Sequence, residues 1–172
     1  LDCWLGSYAF GWTYQCYLGY GQGTHWKSHT VFADGFRPHV AWQALALRNR
    51  EARGDLMRVD AGAGPAMVKG TNSYPLIGVY ALRDGTRWSV FVLSRALDGK
   101  HDGRDFGTGI IPVTLHLPFK RAGAIALHTL AGNPRVSNRE AMNVKPGSSA
   151  VPAEAVHDGV LEINQASGGV QG

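Results

Sequence analysis

Hydrophobic and polar positions change their period at Gly54. Before it, residues 7–20 (SYAFGWTYQCYLGY) are aromatic and mostly uncharged, which predicts a buried strand running into a loop. The loop continues through Gly21-Gln22-Gly23 to His25, Trp26 and His29, and then through Asp34-Gly35. Val40, Ala44, Leu45 and Leu47 then recur at helical spacing, with Trp42 widening the apolar side, so a helix is predicted over residues 38–53. Pro38 suits the first turn, where its missing N–H costs nothing, and Gly54 suits the position just past the last turn. The first segment therefore reads as strand, long loop, helix: one βα unit, too little to stand alone as a domain.

After Gly54 the period shortens to that of strands. Residues 55–60 alternate, with Leu56 and Arg58 on one side and Met57 and Val59 on the other. Residues 76–82 and 87–93 flank Asp84-Gly85, a strong signal for a two-residue hairpin turn. Ile111, Val113, Leu115 and Leu117 share one side of the next strand, and Pro112 within it moves that strand toward a sheet edge. Residues 124–130 predict another strand, closed by the turn Ala131-Gly132-Asn133-Pro134. A polar passage over 135–152 follows, then a short strand at 160–163. Short strands with regular turn signals predict an antiparallel β-sandwich. The predicted division is an incomplete terminal unit, 1–54, followed by a β-sandwich domain, 55–172.

Composition agrees with a folded chain. Of 172 residues, 44% are hydrophobic and 17% charged, enough apolar material for a core and too little charge for disorder. No apolar run approaches the roughly 20 residues that span a bilayer, so no membrane partner is expected. Leu1-Asp2-Cys3-Trp4 lacks the basic start and apolar stretch of a secretory signal. The net charge of +4 invites nucleic acid or acidic polysaccharide as partner. The charge is spread, however. Residues 1–54 carry five Lys and Arg against three acids, and the remainder twelve against ten. Only Arg48, Arg50 and Arg53 cluster, at a helix end where cations complement the dipole, so nucleic acid is not expected. Cys3 and Cys16 read as a disulfide in an oxidising compartment or as two buried free thiols.

Candidate chemistry is sparse. His25 and His29 stand four apart, the spacing of zinc-binding pairs on a helix, but the pair lacks a Glu base and follows Gly23, so a loop with polar or substrate contacts is the favoured reading and no metal is expected. Trp12, Tyr14, Tyr17, Tyr20 and Trp26 serve either as core or as faces for stacking on sugar rings. Trp12 and Tyr14 fit the core better, whereas Trp26, set among polar residues, suits a ligand. The stretch His101-Asp102-Gly103-Arg104-Asp105 is too short for a calcium loop and reads as a solvated loop. Ser89, Ser94, His116 and His128 fall on predicted strands without a nucleophile elbow. Before Asp55 the acids are Asp2, Asp34 and Glu51, and Glu51 among arginines suits an ion pair better than catalysis. Glycoside hydrolysis ordinarily needs two convergent carboxyl groups, and no credible pair assembles here.

Three passages carry a family likeness: Arg53-Gly54-Asp55-Leu56 at the helix exit, Val79-Tyr80-Ala81-Leu82-Arg83-Asp84-Gly85, and Leu127-His128-Thr129-Leu130-Ala131-Gly132-Asn133-Pro134. With the order of elements, they resemble the C-terminal portion of a (β/α)8-barrel glycoside hydrolase with a C-terminal β-sandwich, of the clan that includes α-L-arabinofuranosidases and β-xylosidases. The resemblance implies that 1–54 is the last βα unit of the barrel, acting on poly- or oligosaccharide in a secreted or periplasmic setting. It implies that the catalytic glutamates lie upstream of Leu1, that this chain alone is inactive, and that an N-terminal barrel segment or partner chain completes it. It also implies a sandwich closed by one strand more than follows residues 160–163. No cofactor is implied. The loop after the eighth barrel strand lines the sugar site in such enzymes, which makes Trp26, His25 and Tyr20 the candidate substrate-binding residues. The alternative is a non-catalytic carbohydrate-binding or structural β-sandwich module.

Overall fold

The computed structural model describes residues 2–11, 38, 40–60, 62, 64–95, 100–101, 104–105, 111–118, 125–131, 145–151, 156–157 and 160–165. Among them are two helices and twelve strands. The protein is mostly β, its sheets antiparallel, as the strand periodicity anticipates.

Helix α1, Asp2–Ala9, opens the chain, with Asp2 in its first turn where a carboxylate complements the helix dipole. The Ser7 hydroxyl donates back to the Cys3 carbonyl at 2.7 Å, satisfying itself within the helix. This corrects the expected strand: Ser7, Tyr8 and Ala9 are helical, and residues 12–20 of that segment lie outside the described residues. The reason is tertiary. Aromatic and β-branched residues tolerate either state, and here burial of Leu5, with no exposed surface at all, rewards a helix. Helix α2, Val40–Glu51, lies where the 3.6 period predicts it, two residues shorter at each end, with Pro38 just ahead of it. Arg48 and Arg50 occupy its last turn.

Strand β1, Asp55–Met57, follows after a sharp exit at Gly54. The backbone of Gly54 is left-handed, with φ of 81°, and a Cβ there would stand 2.0 Å from the Arg83 carbonyl oxygen. Only glycine allows this approach. Strands β2, Ala66–Lys69, and β3, Asn72–Pro75, form a small hairpin that the sequence reading did not anticipate. Strands β4, Ile77–Asp84, and β5, Arg87–Ser94, form the expected hairpin. Its turn is Gly85-Thr86 rather than Asp84-Gly85, since Asp84 still belongs to β4 and Gly85 takes the left-handed conformation at φ of 59°. β1 pairs with β4, placing Asp55 opposite Arg83 and Leu56 opposite Leu82.

The remaining strands form smaller sheets. β6, Lys100–His101, and β7, Arg104–Asp105, face each other, so this stretch is a minimal hairpin and not the open loop expected from its composition. β8, Ile111–His116, β9, Ile125–Ala131, β10, Lys145–Val151, β11, Val156–His157, and β12, Val160–Gln165, complete the set. β8 lies at the edge of a sheet ordered β11-β12-β8, as Pro112 requires. Along it Val113 and Leu115 are half-buried while Thr114 and His116 are exposed, the alternation read from the sequence. β10 corrects the expected polar passage: it pairs with β9 along seven positions, from Lys145 opposite Ala131 to Val151 opposite Ile125.

The chain divides into two compact units. Among the described residues, one holds α1, α2, β1 and residues 78–93 of β4 and β5. The other holds the β2–β3 hairpin and strands β6 to β12. The core of the first unit is Leu5, Leu82 and Phe91, with Ala52, Tyr80 and Leu93 packed against them. α1, Ala52 just past the end of α2, and the β4–β5 hairpin thus share one apolar centre.

Candidate functional site

Tyr20, His25 and Trp26, the candidate sugar-binding residues, lie outside the described residues, as do His29, Trp12, Tyr14, Tyr17 and Cys16. The described chemistry concentrates instead where α1, α2 and the β4–β5 hairpin meet. Trp4 and Tyr8, one turn apart on α1, both contact the Arg48 guanidinium from the last turn of α2. Its Cζ lies 6.0 Å from the Trp4 ring centre and 5.3 Å from that of Tyr8. Arg48 also donates a hydrogen bond of 2.6 Å to the Tyr8 hydroxyl. A cation over aromatic faces gains from the ring quadrupole while its stem is kept from water, so the cluster pins the two helices together.

Two carboxylates of this region, Asp2 and Glu51, are engaged. The Tyr80 hydroxyl donates to an Asp2 carboxylate oxygen at 2.7 Å, joining β4 to the start of α1. Gly6 makes room for this, because a Cβ there would come 3.1 Å from that hydroxyl. Glu51, its side chain 16% exposed, accepts from Arg50 and from Arg87 of β5. The expectation that Glu51 serves an ion pair therefore holds. Arg83 donates to the Gly85 carbonyl at 2.9 Å and lies with its Cζ 5.4 Å from the Trp88 ring centre.

The other sequence candidates are dispersed. Ser89 and Ser94 sit on β5, His116 on β8 and His128 on β9. His101 faces Arg104 across the β6–β7 ladder. Cys3 is a free thiol and exposed, not buried. Among the described residues no three His, Cys, Asp or Glu side chains are grouped to hold a metal ion. No described helix is long and apolar enough to cross a membrane.

Sequence reading did not single out Trp4, Tyr8 or Arg48 as a unit. The four-residue spacing of Trp4 and Tyr8 was the available signal, because it places both rings on one face if the segment is helical. No family model, curated protein or solved structure matches the chain.

Proposed function

We propose that this chain is the C-terminal part of a glycoside hydrolase, a helical segment followed by a β-sandwich that braces the catalytic barrel, with both catalytic glutamates outside it. The observation that carries this reading is the junction at Gly54. α2 ends at Glu51 and the chain passes through Ala52, Arg53 and the left-handed Gly54 into β1 at Asp55, and β1 is the edge of the sheet that continues through β4 and β5. A last barrel helix that enters its supporting β domain needs such a rigid junction. The engagement of Asp2 by Tyr80 and of Glu51 by two arginines supports the second half of the proposal, since neither acid is left for a nucleophile or a general acid. Trp26, with His25 and Tyr20, would line the sugar site as stacking and polar contacts.

The test has two arms. The purified chain is expected to release no sugar from aryl glycosides, and measurable turnover by the pure chain overturns the proposal. The reading frame upstream of Leu1 is expected to encode barrel strands bearing the two glutamates; an in-frame stop codon just before the Leu1 codon overturns it equally. The second reading, a non-catalytic module, draws on the same engaged carboxylates. Calorimetric titration with neutral oligosaccharides separates the roles open to such a module: binding without hydrolysis marks a carbohydrate-binding unit, and no binding marks a scaffold.

A further inference from the structure

Nearly all of the β2–β3 hairpin is open to solvent. Of its strand residues only Met67 is half-buried; the others are exposed, with Val68 at 70% and Tyr74 at 45%. Residues directly opposite each other share a face, so the register separates two sets. Met67 opposite Tyr74 and Lys69 opposite Asn72 make one face, while Ala66 opposite Pro75 and Val68 opposite Ser73 make the other. The turn is Gly70-Thr71, with Gly70 left-handed at φ of 62°. The base of the hairpin is tied down. The Leu76 amide donates to the Pro65 carbonyl at 2.9 Å. Arg95 donates from its backbone to the Leu76 carbonyl at 2.8 Å and from its guanidinium to the Pro75 carbonyl at 3.2 Å. Residues 64–76 carry one charge, Lys69, and no acid.

We infer that the Tyr74 face of this hairpin binds a neutral polysaccharide, with the Tyr74 ring stacked on a sugar ring. The inference rests on the carbohydrate reading above and adds a sugar contact on the β2–β3 hairpin. An aromatic ring offers an apolar face that matches the C–H face of a sugar, while the phenol hydroxyl stays wet. Asn72 stands two residues away along β3, about 7 Å at the rise of a strand, and its amide both donates to and accepts from hydroxyl groups. Lys69, opposite Asn72, adds a donor for hydroxyl oxygens. An uncharged chain rich in hydroxyls answers this mixture of one ring, one amide and one amine. A polyanion calls instead for several cations, and this face carries one. Packing gives no rival account of Tyr74, because its cross-strand neighbour Met67 is itself only half-buried. Two strands alone hold weakly, so the bonds at the base keep the face in shape before a ligand arrives and lower the ordering cost of binding.

The experiment is calorimetric titration of the pure chain with neutral arabinoxylan oligosaccharides and with oligogalacturonate, alongside light scattering to read its oligomeric state. The expected result is binding of arabinoxylan oligosaccharides that holds at about 0.3 M salt, where exposed charges are well screened. Tyr74→Ala is expected to weaken it about tenfold, and Tyr74→Phe, which keeps the ring, to retain most of it. Val68→Ser lies on the other face and is expected to leave the affinity unchanged. Because Tyr74 and Val68 are exposed, these variants are expected to keep the parent melting temperature, so lost binding is not mistaken for lost folding. Unchanged affinity in Tyr74→Ala, an equal loss in Val68→Ser, or tighter binding of oligogalacturonate overturns the inference. So does a dimer of the parent chain that Tyr74→Ala returns to monomer, since the face would then belong to a second copy. Binding of no glycan overturns it as well, while the glycosidase reading then stands or falls on the upstream reading frame.

Discussion

Gly54 and Arg83 meet backbone to backbone: a Cβ on Gly54 would lie 2.0 Å from the Arg83 carbonyl oxygen and 2.7 Å from the Asp84 Cα. Neither partner is a side-chain tip that can swing away. The helix-to-sheet junction of the first unit is therefore held by a position where no side chain fits.

Gly54→Ala is expected to destabilise the chain by about 3 kcal/mol or more, from left-handed strain together with the backbone collision. Gly85→Ala is the control. It shares the positive φ but has nothing within 4 Å of its Cβ position, so strain alone should cost about 1 kcal/mol. Urea unfolding of both variants measures the difference, and equal costs would show that the close approach does not matter.

Tyr80 and Asp2 should be energetically coupled. Because the bond is partly buried and its acceptor is a carboxylate, a Tyr80→Phe and Asp2→Asn double-mutant cycle is expected to give a coupling of about 1–2 kcal/mol. A coupling near zero would mean that water replaces the contact without loss.

Gly6 supplies a conditional prediction. Alanine raises helix propensity by about 1 kcal/mol over glycine, but its Cβ would press on the Tyr80 hydroxyl at 3.1 Å. Gly6→Ala should therefore be near neutral in the parent chain and stabilising by about 1 kcal/mol in a Tyr80→Phe background, where the hydroxyl is gone. Thermal melts of the four chains decide it.

Leu5 of α1 and Phe10 just past its end, five positions apart, should respond oppositely to truncation. Leu5 is fully buried in the core, so Leu5→Ala is expected to cost about 2–5 kcal/mol. Phe10 is 87% exposed, and Phe10→Ala should stay within about 0.5 kcal/mol of the parent. A similar large loss at both positions would show that Phe10 packs in solution.

Arg48 tests the aromatic cluster. Arg48→Lys keeps the charge but loses the planar stack on Trp4 and Tyr8, and a loss of about 1 kcal/mol is expected. An unchanged denaturation midpoint would reduce the cluster to a simple charge near a helix end.

Elements that satisfy themselves locally were legible from the residues alone. The 3.6 period of Val40, Ala44 and Leu47 marks α2, the turn chemistry around Gly85 marks the β4–β5 hairpin, and Pro112 places β8 at an edge. Each signal involves residues within one turn or one hairpin. Of the candidate site, Glu51 could be read as an ion-pair residue because Arg48, Arg50 and Arg53 stand beside it in the chain, but its partner Arg87 is 36 positions away.

What the tertiary structure alone decided is wherever the partner is remote. Lys145–Val151, with Pro146 and Gly147, has no strand propensity of its own and becomes a strand because β9 offers a ladder to pair with. Asp2–Ala9 could be strand or helix by composition, and becomes helix because Leu5 finds Leu82 and Phe91 while Tyr80 reaches Asp2. Amino-acid order by itself settles period, turns and breakers, since these are energies of neighbouring residues. Which segments pair, and which charges meet, depends on burial and hydrogen bonds shared between distant parts of the chain, and those exist only once the chain has folded.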